Sequence, residues 1–92
     1  MQKVSEKEHL NRVAELGCVL CWILYNEYTP CQVHHLKKGC GIGQRASHFI
    51  TCGLCPEHHT GQTGFHGLGR RAFEARYGLT ELDLLAWVIE KL

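Results

Sequence analysis

Leu54-Cys55-Pro56-Glu57-His58-His59 gathers a thiol and two imidazoles into one short run. Cys55-Pro56-Glu57 reads as a helix start. Proline is favoured at the first helical position, where its missing N–H costs nothing, and an acid suits the positive end of the helix. Cys55 and His58 then lie one turn apart, with His59 next along. About twenty residues upstream stands His34-His35, and before it Cys18-x-x-Cys21. A two-residue spacer lets both thiols reach one ion, and tetrahedral zinc takes four Cys or His donors, often as two pairs. Cys18 and Cys21 make one pair. The other is Cys55 with His58, whose geometry the helix start would fix, or else Cys52 with Cys55. On the preferred choice Cys52 is a buried thiol, a common fate for free cysteine.

The flanking sequence supplies the frame. Ser5-Glu6-Lys7-Glu8 has the form of a capping box. Leu10, Val13, Ala14 and Leu16 recur at helical spacing, and Gly17 would end that helix. Cys18 to Cys21 follows as a tight turn, and Trp22 to Tyr28 is open between a short helix and an extended segment, ended by Pro30. Cys31 to Leu36 reads as a strand with Val33 buried, and His48 to Leu54 as a second strand. The glycine-bearing run Lys37 to Ser47 joins them as a loop without a phosphate-loop pattern. Glycines at 61, 64, 67 and 69 stop the helix that carries His58 and His59. Arg70 to Tyr77 forms another helix closed by Gly78. Thr80 caps a last helix to about Lys91, with Leu82, Leu85, Ala86, Ile89 and Leu92 on one face. The expectation is an α+β fold: a small zinc-stabilised, treble-clef-like ββα-metal core with an N-terminal helix and two C-terminal helices, in a single domain over 1–92.

Composition narrows the function. Ninety-two residues give a thin core, of the size often stabilised by a metal. An apolar fraction of 45% argues against wholesale disorder. No apolar run nears the ~20 residues that cross a bilayer, and the charged start lacks a signal peptide's apolar core. A cytoplasmic setting is expected, with no membrane partner. Six cysteines there read as metal ligands before disulfides; Cys31 and Cys40 carry little information. The net charge is only +1, but Lys37, Lys38, Arg45, Arg70 and Arg71 face Glu57 alone between Gln32 and Phe73. Positive charge beside a metal-binding segment suits a polyanion.

The histidines in excess of four ligands point to catalysis. Adjacent positions on a strand face opposite ways, so one of His34 and His35 can bind metal while the other acts as a base. Imidazole suits that role because its unperturbed pKa, about 6.5, lies near neutrality. His34 and His59 could grip one ion, with His35 activating water. A core pair or a second structural zinc is the competing reading of His34 and His35, and His48 and His66 are open between site and surface. His9 is expected to face solvent. Trp22, Phe49, Phe65, Phe73, Tyr77 and Trp87 are expected in the core rather than as base-stacking platforms.

Cys18-x-x-Cys21, His34-His35 and Leu54-Cys55-x-x-His58-His59 resemble the HNH (ββα-metal) endonucleases. Gly41-Ile42-Gly43-Gln44-Arg45-Ala46-Ser47-His48 and the run His66 to Tyr77-Gly78 are similar to the phage recombination-enhancement (Ref) nucleases, whose DNA cutting depends on RecA filaments. The likeness covers roughly 8–92. It implies His35 as general base, His34 and His59 as ligands of a catalytic divalent metal (Mg²⁺, Mn²⁺ or Zn²⁺), and His48 in the loop where the pattern carries its middle Asn. One turn beyond His59 stands Thr63, so His66 is taken as the further metal ligand. The implied partners are DNA and a RecA filament, in the cytoplasm of a bacterial host cell. The alternative function is a non-catalytic zinc module that binds DNA or a recombination protein. A third is an adaptor docking through Thr80 to Leu92.

Overall fold

In the computed structural model, residues 5–36 and 47–92 are described. The expected loop after Leu36, with Lys37, Lys38, Cys40 and Arg45, lies outside the described residues. The elements run α1 (Glu6–Leu16), α2 (Val19–Tyr25), β1 (Gln32–His35), β2 (Thr51–Leu54), α3 (Pro56–His59), α4 (Phe65–Leu68), α5 (Arg70–Tyr77) and α6 (Glu81–Lys91). The fold is therefore α+β, with a two-stranded antiparallel sheet in which Gln32 pairs with Leu54, Val33 with Gly53, His34 with Cys52 and His35 with Thr51.

A two-stranded ribbon is marginal in water, so its faces must be covered. α1 and α6 pack on β2, every residue of which is buried. Val13, Leu20, Leu36, Leu54, Phe73, Leu84 and Val88 fill the space between them. Ser5 caps α1 by accepting from the Glu8 N–H at 3.1 Å. Gly17 ends α1 at φ 82°, and a Cβ there would stand 2.7 Å from the Thr29 carbonyl oxygen. Glycine's freedom at positive φ is required at this junction.

Several boundaries differ from the sequence reading. Cys18 is the N-cap of α2, so Cys-x-x-Cys spans a helix start rather than a free turn. The helix runs through Trp22 to Tyr25 and closes at Asn26 in the left-handed region, before Pro30. Val33 is only half-buried; His34 takes the buried position of β1. β2 begins at Thr51, because 48–50 form a turn tied by Ile50 N–H to the Ser47 carbonyl and by the Thr51 hydroxyl to the His48 carbonyl. Phe49, expected in the core, is 39% exposed on that turn, while His9 is half-buried with its ring 5.1 Å from that of Phe49. The inward face of α6 is Glu81, Leu84 and Val88, while Leu82, Ile89 and Leu92 are exposed. The inward face is offset from the expected one, of which Leu85 still packs partly against the core, and a buried carboxylate occupies its first turn. α4, a single turn, was not anticipated.

Among the described residues no helix is long and apolar enough to cross a membrane.

Candidate functional site

Two groups of metal-ligating side chains come together. The first is Cys18, Cys21, Cys55 and His58. The start of α2 carries two of these and the start of α3 the others. His58 Nδ1 lies 3.6 Å from Cys18 Sγ, 3.7 Å from Cys21 Sγ and 3.3 Å from Cys55 Sγ, and the Cys21 and Cys55 sulfurs are 3.9 Å apart. A tetrahedron with Zn–S of ~2.3 Å and Zn–N of ~2.05 Å has edges of about 3.6 Å between S and N and about 3.8 Å between sulfurs. The donor set therefore has the size of a zinc shell. A disulfide would need sulfurs ~2.05 Å apart. All four residues are buried. Burial pushes the Cys18 thiol up to about 12 and lowers His58, so burial disfavours the charged form of both. A divalent ion is the partner that would make thiolates acceptable there. Cys52 stands outside this group as a fully buried thiol, as expected, and burial raises its pKa.

The second group is His34, His59 and His66. Their ring centroids lie 5.3 Å (His34–His59), 5.4 Å (His34–His66) and 4.7 Å (His59–His66) apart. Three elements deliver them: β1, the end of α3, and α4. α4 is anchored by buried Phe65, whose ring packs on His34 at 4.6 Å and on Phe73 at 5.3 Å. His34 is buried, His59 half-buried and His66 exposed, so the cluster opens to solvent on one side. Three ligands with an open side is the pattern of a catalytic rather than a closed site.

His35, on the opposite side of β1 from His34, pairs with His48: Nε2 of one ring is 2.9 Å from Nδ1 of the other. One imidazole donates and the other accepts. His48, open between site and surface in the sequence, is thus in direct contact with His35 across the turn before β2.

Two polar residues that no sequence motif marks hold rings of the second group. Glu81, fully buried at the first position of α6, accepts from His34 Nε2–H at 3.0 Å. Gln32, at the start of β1, accepts from His59 Nδ1–H through Oε1 at 2.8 Å. Glu81 resembles an ordinary first-turn acid, so only its place on the inward face of α6, beside Leu84 and Val88, could have flagged it. Gln32 lies two positions before His34 on a strand, hence on the same face.

Comparison with known families gives one finding: the family model described as recombination enhancement, RecA-dependent nuclease, matches residues 3–92. No curated protein and no solved structure matches. With nearly its whole length matched, the chain belongs to the recombination-enhancement, RecA-dependent nuclease family.

Proposed function

We propose that this protein is an HNH-type, metal-dependent DNA endonuclease that acts in phage or prophage recombination. In this reading it carries a treble-clef-like ββα-metal core and takes a RecA filament as partner. The observation that carries the reading is the solvent-open cluster of His34, His59 and His66, with His35, the next residue along β1 after His34, hydrogen-bonded to His48. Scaffold duty is already covered by the Cys18, Cys21, Cys55 and His58 set, so a further trio of imidazoles is explained by chemistry at an open ion.

A divalent ion held by His34, His59 and His66 would supply Lewis-acid charge to a phosphate oxygen and to the leaving group. The chain's own residues do the rest. His35 takes the proton from the attacking water through a ring nitrogen. His48 holds the other side of that ring, the orienting task that the HNH pattern gives to an amide side chain. Orientation of the base matters because a catalytic proton transfer requires approach to ~2.6–3.2 Å. Arg70 and Arg71 are exposed at the start of α5, just after the helix bearing His66. Cations oppose the positive end of a helix, so folding does not call for them there. A phosphate backbone does.

The test is nicking of supercoiled plasmid with Mg²⁺, Mn²⁺ or Zn²⁺, with and without RecA filaments. His35→Ala is expected to lose ~10²–10⁴-fold in rate, the usual share of a general base, with an unchanged circular dichroism spectrum. Wild-type activity in the variant removes His35 from the mechanism. DNA binding without cleavage under every metal and filament condition would leave a binding module instead.

A further inference from the structure

Two hydrogen bonds made by histidine rings of the second cluster carry more than packing. Glu81 Oε2 takes the Nε2–H of His34 at 3.0 Å, and Gln32 Oε1 takes the Nδ1–H of His59 at 2.8 Å. A neutral imidazole has one N–H and one lone pair, and the hydrogen bond on one nitrogen decides which nitrogen can bind a metal. We propose that Glu81 and Gln32 are positioning residues that lock opposite tautomers, so that His34 offers its lone pair from Nδ1 and His59 from Nε2. This rests on the reading of His34, His59 and His66 as a metal site.

The placement of Glu81 supports a role beyond stability. Its carboxylate is fully buried, and so is its histidine partner. Taking a carboxylate out of water costs several kcal/mol, and well-packed apolar residues often serve stability equally well. The N-terminal position on α6 offsets part of that cost, since the helix dipole favours an anion there. Its backbone N–H is held in turn by the Glu74 carboxylate at 3.2 Å. α6 is thereby coupled to the ligand on β1. Gln32 differs in kind: it is exposed, uncharged, and reaches its histidine from the sheet edge. Outer partners of metal-bound histidines fix ring orientation, and their loss typically costs 10–100-fold in metal affinity.

The experiment uses the full chain with its cysteine site filled by Zn²⁺. Co²⁺ is titrated into the second site and followed by visible absorption, and histidine tautomers are read by long-range ¹H–¹⁵N NMR above pH 8. Wild type should take up one Co²⁺, with His34 protonated on Nε2 and His59 on Nδ1 before the metal is added. Glu81→Leu and Gln32→Leu should each weaken Co²⁺ binding 10–100-fold. Glu81→Gln, which keeps an acceptor oxygen, should restore binding to within about threefold of wild type, a rescue that a merely structural role does not predict. Gln32→Leu, at an exposed site, tests the idea even if Glu81→Leu fails to fold. The proposal is overturned if both leucine variants bind Co²⁺ like wild type, or if His34 carries its proton on Nδ1. A wild-type chain that takes up no second Co²⁺ overturns the metal site itself, while the tautomers separately judge the ring locking.

Discussion

Removing the ion expected at Cys18, Cys21, Cys55 and His58 should unfold the chain rather than loosen it. α3 is four residues long, far below the ~12–15 at which a helix begins to stand alone in water. What places it is its own start: Cys55 is the N-cap and His58 the third residue. Cys18 and Cys21 fix the start of α2 in the same way. These ligands are also core residues, with Cys18 0%, Cys21 6% and Cys55 4% exposed, so freeing them opens the centre of the molecule. Structural zinc contributes an apparent ~10–16 kcal/mol at neutral pH, and a chain of 92 residues has a net stability of roughly 5–14 kcal/mol. The first figure consumes the second. Each kcal/mol moves the melting midpoint by ~4–8 °C at this size, so a loss of even ~5 kcal/mol lowers it by ~20–40 °C. The assay is thermal melting by near- and far-ultraviolet circular dichroism, before and after chelation under reducing conditions, with zinc content measured on the same samples. The cooperative transition should vanish or fall by that amount, and Cys55→Ser should behave alike. A fully metal-free chain whose midpoint moves by less than ~5 °C refutes the reasoning.

Phe73→Ala should cost ~3–5 kcal/mol by urea denaturation, because Phe73 is fully buried between Phe65 and Tyr77; a loss below ~1 kcal/mol would deny it that place. Burial raises Cys52 above its ordinary value of 9.0, so the folded chain keeps a proton that the unfolded chain releases. The associated stability is present below pH 9.0 and is lost as pH rises above it. The gap in urea midpoint between wild type and Cys52→Ala should therefore narrow from pH 8 to pH 10, and a constant gap contradicts the burial argument. Arg70→Ala and Arg71→Ala should each weaken DNA binding across all sequences and reduce the salt slope by about 1. An unchanged slope would place both arginines outside the DNA path.

Local signals were strong enough to place most elements. Ser5, Gly17, Pro56, Gly78 and Thr80 each mark a helix end by a backbone requirement that needs no tertiary context, and the structure ends helices at all of them. The zinc-type group followed from spacing, since Cys18 with Cys21 and Cys55 with His58 each sit within one helical turn. The His34, His59 and His66 cluster combines a strand with two helices; the residues pointed to His34 and His59, the family resemblance added His66, and only folding could bring them together. Glu81 escaped notice for the opposite reason. An acid in a first turn is ordinary, and its burial depends on which face of α6 meets the sheet. That face could not be chosen by counting apolar residues, because Leu82, Ile89 and Leu92 form a competing stripe left in solvent. The single turn of α4 was hidden by Gly64 and Gly67, which read as breakers although Phe65 between them anchors the turn in the core.

The decisive measurement is anomalous scattering from crystals grown with zinc and soaked in Mn²⁺, with data at both metal edges. Two separate peaks are predicted: zinc among Cys18, Cys21, Cys55 and His58, and a second ion touching His34, His59 and His66 with an open face. A single peak within the cysteine set, and none at the histidines under saturating metal, would contradict the account and leave the histidine cluster without the chemistry assigned to it.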